Sequence, residues 1–227
     1  MTPRSCWAWA CERTGLDRVW EALFARHIPE ARGPVAWFYA LGSATLFVFT
    51  LQAVTGALLA MNYVPSPDHA YDSVRFIGSQ VLFGKFIRGL HHWGASAMVV
   101  LVALHMLRVY FMAAYKYPRE ATWIVGVTLF TLVMGFSFTG YLLPWDQKAY
   151  WATMVGTSIA GQTPVIGPYM SKVLLGGAEM GAATMTRFYA LHVLVLPMVT
   201  AAALGAHLFL VVWHGISEPP QRKEQGS

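Results

Sequence analysis

Four long stretches of this chain contain no Asp, Glu, Lys or Arg. Each is close to or longer than the roughly 20 residues that a helix needs to cross about 30 Å of hydrocarbon. The pattern predicts an all-α fold in which a four-helix bundle spans a membrane. The uncharged stretches cover residues 35–64, 89–107, 121–145 and 188–217, and we place helix A at about residues 36–62, helix B at 90–115, helix C at 121–143 and helix D at 188–214.

The composition supports a membrane protein. Of the 227 residues, 56% are hydrophobic and 12% are charged, whereas a soluble domain carries about 25% charged residues. The net charge of +5 favours contact with anionic lipid head groups and argues against nucleic acid as a partner. We divide the chain into an N-terminal surface arm (residues 1–34, with an amphipathic helix around 16–24 and no signal peptide), a four-helix transmembrane domain (35–217) and a polar C-terminal tail (218–227).

The connections between helices predict the orientation. The B–C connection is short and carries Lys116 and Arg119, and short loops rich in Lys and Arg remain on the cytoplasmic side. An even number of spans then places both termini in the cytoplasm, in a bacterial inner membrane. The A–B connection, residues 65–89, is predicted to be a loop on the opposite, positive side. The C–D connection, on that same side, is predicted to contain short surface helices at residues 150–159 and 169–175, and loops of this length are usually functional.

Four histidines lie inside the predicted spans, where an ionisable side chain is costly and indicates function. His91 and His105 are 14 residues apart on helix B, and His192 and His207 are 15 apart on helix D. Each spacing is about four turns, so each pair shares one helix face over about 21–22 Å. If helices B and D face each other, the imidazoles form two opposed pairs, one in each leaflet.

Opposed imidazole pairs favour haem over other metal centres. Structural zinc takes four ligands, whereas a haem iron takes one axial ligand on each face of the porphyrin. Two histidines leave no open position, which favours electron transfer over oxygen chemistry. The alternative is that these histidines are hydrogen-bonded packing residues, but two helices with matched pairs are hard to assign to packing.

Glycines on the other two helices repeat the histidine spacing. Gly42 and Gly56 on helix A, and Gly126 and Gly140 on helix C, are also 14 residues apart. Glycine lacks a Cβ and admits a planar ligand or another backbone, although it also serves ordinary helix packing. We predict that helices B and D supply ligands while A and C supply slots.

Three arginines lie near the histidines. Arg88 precedes His91 by three residues, Arg108 follows His105 by three, and Arg187 precedes His192 by five. Arginine pairs well with carboxylates, and haem propionates need such cations. The alternative is an arginine that extends from a helix end to the membrane surface.

Three motifs resemble the cytochrome b family. They are Arg88-Gly-Leu-His-His-Trp-Gly-Ala-Ser followed by His105, Tyr141-Leu-Leu-Pro-Trp-Asp-Gln, and Thr186-Arg-Phe-Tyr-Ala-Leu-His. The 15-residue step on helix D, the Pro164-Val-Ile-Gly stretch and the Gly215-Ile-Ser segment are similar to the short cytochrome b6 form. The resemblance covers roughly residues 34–218.

The resemblance implies a two-haem subunit of a quinol:cytochrome c (bc-type) oxidoreductase. It implies that His91 and His192 bind the positive-side haem, with Gly56 and Gly140 beside it. It implies that His105 and His207 bind the negative-side haem, with Gly42 and Gly126 beside it. Electrons would pass from a positive-side quinol site, bordered by Tyr150 and Trp151, to a negative-side quinone site.

The resemblance also implies partners and shows three departures. The expected partners are a separate subunit that completes the cytochrome b core, a Rieske iron–sulfur protein, a c-type cytochrome and a second copy in a homodimeric complex. The chain stops after helix D, so part of the quinol pocket is expected on that separate subunit. Ala40 stands where cytochrome b6 proteins carry a cysteine that tethers an extra haem, so two non-covalent b-type haems are expected. Val212 stands where relatives carry a basic residue, which leaves His214 and Asp17 as candidates for the quinone site.

Two other classes stay open on sequence alone. One is the two-haem membrane anchor of a formate dehydrogenase, nitrate reductase or hydrogenase, which also pairs membrane histidines. The other is a haem-free transporter that uses the histidines as a proton relay. The Leu-Pro-Trp-Asp-Gln stretch and the long C–D connection argue against the anchor.

Overall fold

The structure is a computed structural model that describes residues 35–217 together with Ala8 and Cys11. The predicted arm helix at residues 16–24, Asp17, and the tail after Glu218 lie outside the described residues. Between residues 35 and 217 the chain forms helices and turns, without strands. In chain order these are α1 (Val35–Ala60), α2 (Ala70–Ser79), α3 (Gly84–Phe111), α4 (Glu120–Leu142), α5 (Gln147–Gly161), α6 (Gly167–Leu175), α7 (Ala182–Ala190), a π-helical turn (Leu191–Val195) and α8 (Leu196–His214).

Four helical segments are long and apolar enough to cross a membrane, which confirms the predicted fold class. Large apolar side chains on their outer faces are exposed, among them Trp37, Phe47 and Phe209. In water such a surface would be unstable, whereas lipid covers it without cost. The segments are Ala36–Ala60, Gly84–Phe111, Glu120–Leu142 and Ala182–His214, the last running through α7, the π-helical turn and α8.

The connection between the first two spans differs from the predicted loop. It contains α2, whose Ala70, Ser73 and Ile77 are buried at helical spacing. The second span also begins at Gly84 and ends at Phe111, earlier at both ends than predicted. A search for uncharged runs misses both features, because α2 is amphipathic and the first turns of α3 carry Lys85 and Arg88.

The spans pack as two pairs. The closest packing joins α1 to α3, and α4 to α8, whereas α3 and α8 approach each other far less closely. A small apolar cluster of Met98, Val102 and Val133 lies at the middle of the bundle. Met98 is seven residues from both His91 and His105. The cluster therefore divides the bundle into two compartments, one around His91 and His192 and the other around His105 and His207.

The π-helical turn explains the unequal histidine spacings. The Leu196 N–H donates to the Leu191 carbonyl, five residues back, and such a turn holds one residue more than an α-helical turn. Pro197 follows directly, and its ring excludes the carbonyl of Val193 from an ordinary helical hydrogen bond. The extra residue brings the 15-residue step between His192 and His207 into register with the 14-residue step on α3.

Candidate haem-binding site

His91 on α3 and His192 in the π-helical turn face each other. Their ring centres lie 6.4 Å apart and their planes cross at 79°. A metal ion bound by two imidazole nitrogens at about 2 Å each separates the ring centres by about 6 Å. The observed separation therefore fits a single iron between the two rings.

Threonine hydroxyls occupy the Nδ1 side of both rings. Thr55 Oγ1 lies 2.9 Å from His91 Nδ1, and Thr139 Oγ1 lies 3.0 Å from His192 Nδ1. Each hydroxyl also donates to a backbone carbonyl four residues back, Leu51 at 2.6 Å and Gly135 at 2.8 Å. With its proton used there, each hydroxyl is placed to accept from Nδ1–H, which leaves Nε2 of each histidine free to bind a metal.

The second pair, His105 and His207, lies in the other compartment, close enough to interact electrostatically. Within the described residues, the Nδ1 atoms of both rings are buried without a hydrogen-bond partner. A buried polar atom without a partner is rare and calls for an explanation. Both predicted ligand pairs are thus brought together in the structure.

Each predicted slot glycine lies against one histidine ring. A Cβ on Gly56 would lie 3.1 Å from His91 Cε1, and one on Gly140 would lie 2.5 Å from His192 Cε1. In the other compartment, Cβ atoms on Gly42 and Gly126 would lie 3.3 Å from His105 and His207 respectively. The glycines therefore make room for the imidazoles themselves, and each helix that supplies slots holds the ligands of a neighbour.

Arg108 lies near His105 of the second pair. Its guanidinium lies 4.2 Å from the centre of the Tyr39 ring, and its Nε and Nη2 atoms are buried without a partner within the described residues. A guanidinium in this state would gain most from a carboxylate such as a propionate.

The other two predicted arginines differ from Arg108. Arg88 is exposed in the first turns of α3. Arg187 is also exposed, and its Nη1 donates to the carbonyls of Lys172 and Val173 at 3.1 and 2.6 Å. These bonds satisfy the C-terminal end of α6, so Arg187 has a structural role independent of any propionate.

The Leu-Pro-Trp-Asp-Gln stretch forms the turn between α4 and α5. Asp146 caps α5 by accepting from the Ala149 N–H at 2.8 Å. Tyr150 and Trp151 lie in the first turns of α5, where the Tyr150 ring packs edge-on against Trp145 and Trp151. Trp151 is 57% exposed, which leaves it on a face that another molecule could contact.

Sequence reasoning missed Thr55, Thr139 and Tyr63. Tyr63 donates to the Leu143 carbonyl at 2.6 Å and stacks on Tyr189, which ties the end of α4 to α7. Burial, and then the neighbouring Tyr189, raise the pKa of the Tyr63 hydroxyl well above its usual range, so it stays a donor. The two threonines had a signal in the sequence, since each directly precedes a slot glycine.

The end of the bundle where α8 finishes gathers several polar groups. His214 Nδ1 and Ser217 Oγ are buried without a partner within the described residues. Tyr39 donates to the Ser217 carbonyl at 3.1 Å, and Arg119 donates to the Gly215 carbonyl at 3.2 Å. His214 therefore keeps its candidacy for a quinone site, whereas Asp17 lies outside the described residues.

The fold and the site together define a membrane-spanning helical protein that brings four histidines together in two pairs. The residues present fit haem in both compartments.

Comparisons with known proteins give the family. The family model for cytochrome b/b6/petB matches residues 29–215. The menaquinol:cytochrome c reductase cytochrome b subunit of Geobacillus thermodenitrificans is 44% identical over 216 residues, covering 93% of this chain and 96% of the relative. Cytochrome b6 of Heliobacterium mobile is 44% identical over 212 residues, covering 93% and 99%. The chain belongs to the cytochrome b family, and that family implies b-type haem binding.

A solved structure agrees with this fold. It is described as a hyperthermophilic respiratory Complex III, and it matches with a TM-score of 0.84 at 29% identity. The match covers 97% of this chain and 58% of that chain. The four-helix arrangement described here therefore corresponds to part of a longer chain in that assembly.

Proposed function

We propose that this chain is the two-haem cytochrome b subunit of a quinol:cytochrome c oxidoreductase. The carrying observation is the pair of opposed imidazole couples, His91 with His192 and His105 with His207, in separate compartments of one bundle. The relatives' names support the quinol-oxidising class over a formate dehydrogenase, nitrate reductase or hydrogenase anchor. Bound b-type haem supplies one-electron redox chemistry.

The chain's own residues set the conditions for that chemistry. The four histidines would hold the two haems, two to each, and would leave no ligand position for oxygen. The glycines hold the rings in place, and Arg108 would neutralise a carboxylate at the second centre. Met98, Val102 and Val133 keep water out of the region between the two centres. Moving one charge across the whole membrane against 100 mV costs about 2.3 kcal/mol.

The remaining assignments extend this proposal. Tyr150 and Trp151 border a positive-side quinol pocket that a separate subunit completes. One electron of each quinol passes to the haems, and a Rieske iron–sulfur protein and then a c-type cytochrome accept the other. The complex is a homodimer in a bacterial inner membrane. Both termini face the cytoplasm. The proposal includes no covalent third haem, because Ala40 stands where the tethering cysteine would be.

Purification of the tagged chain from its native membrane tests the function. We expect a Rieske protein and a c-type cytochrome to co-purify and the complex to reduce cytochrome c with quinol. His91→Leu should abolish that activity, whereas His92→Leu, which changes the exposed neighbour, should keep it. Recovery of a molybdenum or nickel subunit in their place, or equal activity of both variants, would overturn the proposal.

A further inference from the structure

The residue that precedes each slot glycine differs between the two compartments. Thr55 precedes Gly56 and Thr139 precedes Gly140, both beside the positive-side pair. Leu41 precedes Gly42 and Val125 precedes Gly126, both beside the negative-side pair. The two compartments share one glycine pattern and differ in whether a hydroxyl accompanies it.

The two threonines are built into the site. Thr55 is 4% and Thr139 is 5% exposed, so water does not compete for their hydroxyls. Their contacts with His91 Nδ1 at 2.9 Å and His192 Nδ1 at 3.0 Å are full hydrogen bonds by distance. The backbone carbonyls of Gln52 and Phe136 also face these rings, and each lies 3.3 Å from the same threonine hydroxyl.

The negative-side rings lack these partners. His207 faces the Thr122 carbonyl, but its Nδ1 makes no hydrogen bond within the described residues, and neither does that of His105. The side chains of Leu41 and Val125 have no polar atom that could accept a hydrogen bond from a histidine. The hydroxyls are therefore a difference between the two ligand pairs in the groups that face the Nδ1 atoms.

We propose that Thr55 and Thr139 are positioning residues that lower the reduction potential of the positive-side haem. This inference rests on the proposed function. A hydrogen bond that accepts the Nδ1 proton makes the other nitrogen a stronger donor. A stronger donor stabilises oxidised iron, and hydrogen bonding around a metal centre is a main determinant of its potential.

The direction suits electron transfer across the membrane. An electron on a lower-potential centre moves spontaneously to a higher-potential one, and that drop offsets the work against the membrane potential. The same hydroxyls fix the tautomer and orientation of His91 and His192. The chain would then favour this direction of transfer through two residues that contact the ligands and their own helix backbone.

A redox titration of the purified complex, followed in the haem b absorption bands, tests this inference. Thr139→Val and Thr55→Val keep the side-chain shape and remove the hydroxyl. Each should raise the potential of the positive-side haem, the double variant should raise it further, and the other haem should stay unchanged. The His207→Leu form, which keeps only the positive-side haem, assigns the bands. Thr139→Ser and Thr55→Ser should restore the original potential.

Matched controls separate the hydroxyl contact from general effects. Thr45 and Thr131 donate to carbonyls four residues back on the same two helices, at 2.7 and 3.0 Å, and within the part of the chain that the structure describes no hydrogen bond joins either one to a histidine. Thr45→Val and Thr131→Val should leave both potentials unchanged. In the reverse experiment, Val125→Thr should lower the potential of the negative-side haem by giving His207 Nδ1 an acceptor.

The outcomes distinguish this inference from the proposed function. Two b-type haems with unmoved potentials in the valine variants would overturn the inference and leave the function intact. A shift that serine does not reverse would assign the effect to packing and also overturn it. If the double variant fails to assemble, Val125→Thr still decides, because an unchanged negative-side potential contradicts the inference. An unmodified complex without two b-type haems would overturn the function itself.

Discussion

Each of the four histidine rings lies against a glycine of a neighbouring helix, and this contact decides how the ring is held. The distance from a Cβ built on the glycine to the histidine ring is shortest at Gly140 and longest at Gly42 and Gly126. The glycines were predictable from their 14-residue repeat. That the glycines contact the imidazole rings, in addition to making room for a planar cofactor, was not predictable. Sequence spacing does not show which side chain enters a gap.

Gly140→Ala should displace His192 and weaken the positive-side haem. The added Cβ would lie 2.5 Å from His192 Cε1, and overpacking of this kind costs about 1–3 kcal/mol. Gly126→Ala, at 3.3 Å from His207, should have a smaller effect. The effects of both substitutions are measured as haem content per chain and thermal stability. Gly205→Ala, with no atom within 4 Å, is the control, and equal effects at all three sites would contradict the contact.

Arg108→Gln should loosen the negative-side haem. Two buried guanidinium nitrogens lack a protein partner within the described residues, and a hydrogen bond to a charged group contributes about 1.5–3 kcal/mol. We expect haem retention at that centre to fall roughly tenfold or more, with a lower potential because a nearby cation is lost. Arg75→Gln, an exposed arginine on α2, is the control. Unchanged retention and potential would remove Arg108 from the site.

At the scale of elements, the four spans followed from uncharged runs, because lipid selects length and hydrophobicity. The short helices at residues 150–159 and 169–175 were also confirmed, as α5 and α6. The helix α2 was missed, because its buried face depends on packing against α3. The π-helical turn was visible only as an odd 15-residue step, since a one-residue insertion has no composition of its own.

A one-residue deletion in the π-helical turn should be tolerated better than one in α3. Deleting Leu194 shortens the step from His192 to His207 to 14 residues, the step that α3 uses between its two histidines. Deleting Ala103 shortens the step from His91 to His105 to 13 residues and rotates one ligand by about 100°. We expect two haems per chain in the first variant and loss of one in the second. Loss in both would show that the extra residue has another role.

At the scale of the whole molecule, two helix pairs enclose two compartments, and the charged connections predict their orientation in the membrane. Lys116 lies on the predicted cytoplasmic side and Gln80 on the opposite side, both exposed. In a background without Cys6 and Cys11, a membrane-impermeant thiol reagent added outside intact cells should label Gln80→Cys and not Lys116→Cys. The reverse pattern would invert the proposed orientation and with it the direction of electron transfer.

The haem count per chain, taken from the reduced-minus-oxidised spectrum of the purified protein and its His207→Leu variant, tests the central claim most directly. The account predicts two b-type haems in the unmodified chain and one in the variant, because each iron needs both of its imidazoles. Two haems in the variant would show that His207 is not a ligand. No haem in the unmodified chain would contradict the account altogether.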